Sequence, residues 1–371
     1  MRHMFLKFAF IAVPWLLVIH GAHAQTAYYH YEAKNQSLAY YFDLITLDTV
    51  GFLSLNSDRP MWLSGNLNKS SGEWIFRTND EKKLMLCFNL NNKQLENIRF
   101  CETGVGDRSL PQLFLTWNKG NVPFKVLRLT KKQALIPEIR NSPFASFDVV
   151  FPDPQWPANP RIADSIRKAL LKIYLGEDEI KSIAAQPALA QRLNQMAHQY
   201  QEENRDIYDP EDSSPLLNRE FSIRPFIACN TGYVLSVIVD LYAYNGGAHG
   251  LEVKRFVNLN LKNGETFQLS HLFDTSNRYI AAKLKELIKT HIKEQYQITS
   301  QQSLTEAGFF TDDIELPVEF YLTPSGIGFY YNVYEIAPFS MGPIQVFIPN
   351  NEVKTLMGEN IWSLPENFWS N

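Results

Sequence analysis

The strongest constraint on the fold is a pattern repeated between residues 28 and 130. Short runs of aromatic and β-branched residues (YYFDLITL, GFLSL, MWLSGNL, GEWIFR, KLMLCFNL, QLFLTW, PFKVLRL) alternate with turn clusters such as SLNSDRP, NKSSG and NKGNVP. Runs of that length separated by turn chemistry predict strands in an antiparallel sheet, curled or closed. An aromatic content of 13%, with 17 Tyr and 25 Phe, suits strands that need broad side chains to cover a sheet. The glycines and tryptophans beside leucine in LSGNL (63–67) and LTWNKGNVPFKVLRL (115–129) read as bulges or bends rather than sites.

Ahead of this region stands MRHMFLKFAFIAVPWLLVIHGAHAQ, in which Arg2 and Lys7 precede an apolar run and Ala22 and Ala24 bracket His23. That is the layout of a secretory signal peptide over residues 1–24, and the apolar run is short for a membrane span. The expectation is a periplasmic or secreted chain with no stable membrane span after cleavage near Ala24. Cleavage removes two basic residues and no acid, so the formal charge moves from −4 to −6. A mildly acidic, unclustered balance argues against nucleic acid, which needs a basic face, and permits a basic protein partner.

Downstream, KKQALIPEIRNSP mixes charge with two prolines and places a boundary near 131–145. RIADSIRKALLKIYLG then carries Ile162, Ile166, Leu170 and Ile173 at helical spacing and stops at Gly176. LAQRLNQMAHQYQEENRDIY reads as a half-exposed helix, and NRYIAAKLKELIKTHIKEQY as a helix capped by Asp274, Thr275 or Ser276. Strand-like runs FSIRPFIACN, YVLSVIVDLYAY and EVKRFVNLNL precede that last helix, and VEFYLTP, IGFYYNVY and IQVFIP follow it. Helices among hairpin-connected strands predict an α+β fold: an all-β module over 25–135, then an α+β region over 145–355.

Enzyme signatures are missing from the sequence. The histidines beyond residue 24 (His30, His198, His249, His271 and His291) sit in no metal-binding spacing, so no metal or cofactor is expected. Neither a G-x-S-x-G elbow nor a phosphate loop is present. Cys87 and Cys101 lie in LMLCFNLNNKQLENIRFC, where a hairpin could bring them face to face; in an oxidising compartment they would pair, and otherwise stay thiols. Cys229, after RPFIA, reads as a buried small hydrophobe.

Three separated segments remain: YAYNGGAHG (242–250), NLNLKNGETFQLSHLF (258–273) and LTPSGIGFYYNVYEIAPFSMGPIQVFIP (322–349). Asn263-Gly264 and Ser325-Gly326 read as hairpin turns. In that order the segments resemble the C-terminal domain shared by lysozyme-sensing anti-sigma factors of the RsiV type and the non-catalytic part of PdaC-type peptidoglycan deacetylases. The resemblance spans 145–355, with a companion part at about 145–215 and the C-terminal domain at about 216–355. The anti-sigma factor's cytoplasmic segment and membrane span, and the deacetylase's catalytic domain, have no counterpart in it.

That resemblance implies a binding protein, with lysozyme or a cell-envelope component as partner. It brings His249 toward the late loop carrying Tyr334 and Glu335, with Gly246 and Gly247 letting two backbones approach. Two readings of His249 stand: a buried, satisfied histidine fixing a corner, or a ligand-contacting pair with Glu335. The second, as acid and base, would make the chain a peptidoglycan-acting enzyme. Tyr330, Tyr331, Tyr334 and Phe339 likewise read as a sheet face or as binding anchors.

Overall fold

The computed structural model describes residues 26–35, 38–56, 60–78, 85–102, 105–109, 116–118, 121–176, 183–209, 215–357, 364, 368 and 369. The expected leader and most of the run QLFLTW lie outside these residues. The architecture is α+β, built on three sheets.

Strands β1 (Ala27–Asn35), β2 (Leu38–Leu47), β3 (Val50–Asn56), β4 (Met61–Asn68), β5 (Glu73–Thr78), β6 (Met85–Asn91), β7 (Gln94–Glu102), β8 (Val105–Ser109) and β9 (Thr116–Asn118) form one antiparallel sheet in the order β8-β7-β6-β5-β4-β3-β2-β1-β9. Each consecutive pair from β1 to β8 is a hairpin neighbour, which is what short runs joined by tight polar turns select. The sheet has its own aromatic core, with Trp74, Phe76 and Phe88 stacked at 5.8 and 5.3 Å. Gly65 is the contact point with that stack: a Cβ there would fall 2.7 Å from the Phe76 ring, so the glycine of LSGNL serves close packing. Cys87 is disulfide-bonded and Cys229 is a buried free thiol. The side chain of Cys101, the expected partner, lies outside the described residues.

The second sheet runs β10 (Phe124–Ala134), β11 (Phe144–Pro154), β12 (Arg219–Thr231), β13 (Val234–Tyr244) and β14 (Leu251–Asn260) in chain order. PFKVLRL, read from sequence as the last strand of the N-terminal module, is instead an edge of this sheet. It pairs antiparallel with β11 from Phe124↔Pro154 to Ala134↔Phe144, so the segment 131–145 is a hairpin and not a junction. The reason is that the prolines at 137 and 143 fall in the turn, where a missing N–H costs nothing. β11 and β12 are parallel, which requires a crossover. Helices α1 (Pro160–Leu175) and α2 (Ala185–Asn204) supply it.

α1 begins with Pro160 in its first turn and buries Ile162, Ile166 and Leu170, while Ile173 is half-buried. It ends at Gly176, whose φ of 90° is glycine territory. Tyr174 donates to the Val150 carbonyl (2.7 Å), tying the helix to β11.

A four-residue helix α3 (Leu269–Leu272) and the long α4 (Arg278–Gln295) lead to the third sheet, β15 (Glu319–Thr323), β16 (Gly326–Tyr331) and β17 (Ile344–Pro349), and then to α5 (Asn350–Met357). The N-cap of α4 is Asn277, whose side chain accepts from Tyr279 N and Ile280 N; Asp274 lies one turn earlier and receives Ser276 and Asn277 instead. Leu284, Ile288 and Ile292 bury one stripe of α4 against the third sheet.

Among the contacts that join the sheets are two centred on buried side chains. Tyr321, fully buried, meets Trp62 of β4 edge-on at 4.9 Å and stacks on Phe256 of β14 and Phe347 of β17 at 5.8 and 6.5 Å. A polar network is the second. His30 Nδ1 lies 2.7 Å from Asp43 Oδ1, and its Nε2 lies 3.1 Å from Glu32. Tyr28 donates to Asp43 (2.5 Å), and Asn230 of β12 donates to Tyr28 Oη (2.9 Å) while pairing with both Val122 backbone groups (2.9 and 2.8 Å). Burial pushes the His30 ring down, but Asp43 and Glu32 outweigh it and raise its pKa to about 10. Among the described residues, no helix is long and apolar enough to cross a membrane.

Candidate functional site

The β13–β14 turn and the loop after β16 meet at one end of the molecule. At the first, the strand pattern VLSVIVDLY ends because Asn245, Gly246 and Gly247 cannot continue it. Gly246 has φ +83°, and a Cβ there would fall 2.2 Å from the Leu216 carbonyl oxygen. Gly247 has φ +101° with nothing near its Cβ position. Tyr244 closes the turn by donating to Gly247 O (3.0 Å). Gly246→Ala should therefore cost about 2 kcal/mol or more, and Gly247→Ala only the left-handed backbone penalty of about 1–2 kcal/mol, read by urea unfolding.

The turn presents His249 outward. Its ring stacks on Phe339 at 4.0 Å between centroids, 19° from parallel, and its Nδ1 lies 3.0 Å from Gly250 O, which accepts only from a protonated Nδ1. Phe339 in turn meets Tyr334 at 5.7 Å. Tyr334 is 55% exposed with φ +69°. It occupies the third position of a turn closed by Glu335 N–H to Asn332 O (3.1 Å), where positive φ normally selects glycine. A large aromatic held there against its backbone preference is the kind of outlier that collects at binding sites.

Asn332 anchors this loop. Its Oδ1 accepts from Lys254 N (2.7 Å) and its Nδ2 donates to Lys254 O (3.2 Å), so one amide occupies both backbone groups on the outer edge of β14. Nδ2 also reaches Glu335 (3.3 Å).

The sequence-derived residues thus divide. His249 and Tyr334, both exposed, and the half-buried Phe339 form one aromatic cluster. The His249–Glu335 hydrogen bond is not formed, because stacking on Phe339 directs the ring to Gly250 while Glu335 turns to Asn332. The alternative of a buried, satisfied histidine also fails, since His249 is exposed. Tyr330 and Tyr331 are buried sheet residues, the latter donating to Glu315 O (2.8 Å). Alternation along β16 put them on its two faces, and both faces are covered.

Sequence reasoning passed over Asp240, Lys254 and Glu252. Asp240 and Lys254 are cross-strand partners on β13 and β14, and both are nearly buried (9% and 8% exposed). The signal was there to read: one acid and one base, each interrupting an apolar strand on either side of the same turn. Burial raises the Asp240 carboxyl to about 6 against the opposing pull of Lys254. A hollow of about 530 Å³, lined by Ile173, Phe221, Leu241, Leu251, Val253 and Arg255 among others, lies on the opposite face of the sheet. Its guanidinium is already held by Glu319 (2.7 Å). Among the described residues, no group of three or more His, Cys, Asp or Glu could hold a metal ion.

The family model described as protein of unknown function (DUF3298) matches residues 270–351, from α3 to the first turn of α5. The crystal structure of a DUF3298 family member from Bacteroides fragilis has a similar fold, with a TM-score of 0.61 and 23% identity over 68% of this chain and 100% of that one. A DUF3298 family protein from Pseudomonas aeruginosa aligns with a TM-score of 0.44 and 16% identity over 65% of this chain and 97% of that one. No curated protein matches the chain.

Proposed function

We propose that the chain is a secreted or periplasmic, non-catalytic binding protein that engages a protein partner through His249, Tyr334 and Phe339. The observation carrying this reading is the strained, exposed Tyr334 beside the His249–Phe339 stack. Rigid aromatics with a polar tip offer contact area at low entropic cost, which is why they dominate binding hot spots. The backbone beneath them is fixed in advance by Gly246 and by the Asn332 clamp on β14, which reduces the ordering cost of association. Lysozyme is the candidate suggested by the resemblance to RsiV-type and PdaC-type domains, and a chain charge of −6 after loss of the leader complements a basic partner.

The test is a pull-down of residues 25–371 against immobilised lysozyme and, separately, peptidoglycan fragments. Saturable lysozyme binding is expected, weakening as salt is raised. Tyr334→Gly removes the anchor while exchanging backbone strain for chain entropy. Its stability should stay within about 0.5 kcal/mol of the parent, whereas affinity falls roughly 30-fold, the loss of one hot spot of about 2 kcal/mol. If lysozyme does not bind, the partner assignment fails. Should a partner bind Tyr334→Gly as tightly as the parent, the aromatic cluster is not the interface.

A further inference from the structure

Lys254, Asp240 and Glu252 form a second constellation, beneath the turn that carries His249. Asp240 and Lys254 face each other across the β13–β14 hairpin, and their side chains are only 11% and 10% exposed. Lys254 Nζ stands 3.6 Å from Asp240 Oδ2 and contacts the Glu252 carboxylate. The lysine has little freedom to leave. Asn332 holds both its backbone groups, and the Tyr330 ring lies 5.7 Å from Nζ. Asp240 Oδ1 is buried with no hydrogen-bond partner, so this carboxyl lacks the hydrogen bonds that make a buried carboxylate a comfortable end state. The charged groups facing the pair are Glu252 and Arg224, the cross-strand partner of Asp240 on β12.

We propose that Lys254 and Asp240 condense into an intramolecular isopeptide bond, with Glu252 as the proton-transfer group. Three requirements are met by the residues present. The electrophile must be an uncharged carboxylic acid, and desolvation favours that form of Asp240. The nucleophile must lie close to that carboxyl, and Nζ stands 3.6 Å from Oδ2, an oxygen bonded to the Cγ it would attack, so the two groups are held in proximity by the fold. A base must take the ammonium proton, and Glu252 touches Nζ while being 43% exposed, so protons and water can leave.

The step balances without a co-reactant. Glu252 accepts a proton from the Lys254 ammonium, and the freed lone pair attacks Asp240 Cγ while the carbonyl π electrons move to oxygen. The C–N bond forms. The C–O bond to the acid hydroxyl then breaks, that oxygen taking the proton back from Glu252 to leave as water as the carbonyl reforms. Glu252 then takes one of the two protons left on nitrogen and passes it to solvent, and the other stays as the amide N–H. Nothing is oxidised or reduced. Although Asp240 and Glu252 favour the ammonium and keep the amine scarce, the reaction need occur only once per molecule. The link would fasten the hairpin that presents His249, and it does not depend on what the aromatic cluster binds.

Mass spectrometry of the full chain after reduction and trypsin digestion tests this. Arg224 precedes proline, so an unlinked chain yields residues 220–254 at full mass. A linked chain resists cleavage at Lys254 and yields residues 220–255 lighter by one water. The linked peptide is expected. Asp240→Asn should give the identical product by expelling ammonia, Lys254→Arg should give none, and Glu252→Gln, altered at a partly exposed position, should slow linkage at least tenfold. Recovery of residues 220–254 at full mass from the parent chain overturns the proposal. Undiminished linkage in Glu252→Gln overturns the role given to that residue.

Discussion

Replacing Asp43 by alanine should destabilise the protein by about 3–5 kcal/mol, the cost of leaving one member of a buried ion pair unmatched. Both side chains of the His30–Asp43 pair are fully inaccessible. The substitution also strips Tyr28 of its acceptor and loosens the chain of contacts through Asn230 to β12. Urea unfolding followed by two probes is the check, and a loss under about 1 kcal/mol would mean that the network contributes little.

The same pair sets a pH dependence. The His30 pKa is raised in the folded protein to about 10 from an ordinary 6.5. Its contribution is therefore complete below about 6.5 and is lost as pH rises through that window toward about 10. In Asp43→Ala that fall of stability between neutral and alkaline pH should flatten. A variant with the parent's slope would place the proton elsewhere.

Tyr321→Ala should be comparably damaging, at about 3–5 kcal/mol, since a fully buried aromatic leaves a cavity where three sheets meet. Its Oη also accepts from Gln345 (3.0 Å). Gly328 faces it across the β15–β16 pair, where a Cβ would lie 1.8 Å from Tyr321 Cζ. Gly328→Ala should thus cost about 1–3 kcal/mol or more by overpacking, and nearly nothing once Tyr321→Ala has emptied the space. This coupling has a defined sign: the double variant should be more stable than the sum of the two losses implies. Additive losses would show that the backbone, not the ring, feels the methyl group.

Element types were largely legible. Most of the aromatic and β-branched runs became strands, the spacing of Ile162, Ile166 and Leu170 became α1, and Asn263-Gly264 became a turn with Gly264 at φ +81°. The site was only half legible. YAYNGGAHG marked a special turn because the strand's pattern is broken by residues suited to positive φ. Nothing local showed that His249 would choose Phe339 over Glu335, a matter of where two separate loops project their side chains.

What the sequence alone determined is the set of faces to be buried and the places where the chain must turn, because both follow from side-chain period and backbone preference within a few residues. Which strands become neighbours is another matter. A strand's pattern names its buried face but not the partner along its edge, so β10 could be assigned to either sheet until its pairing with β11 was seen. Asn230 reaching Tyr28, 202 residues away, depends on packing that no local window contains, and so does the burial of the Lys254–Asp240 pair, though not the hairpin that places them opposite each other. Burial then changed their chemistry, since charge states follow desolvation, and desolvation exists only once the chain has folded.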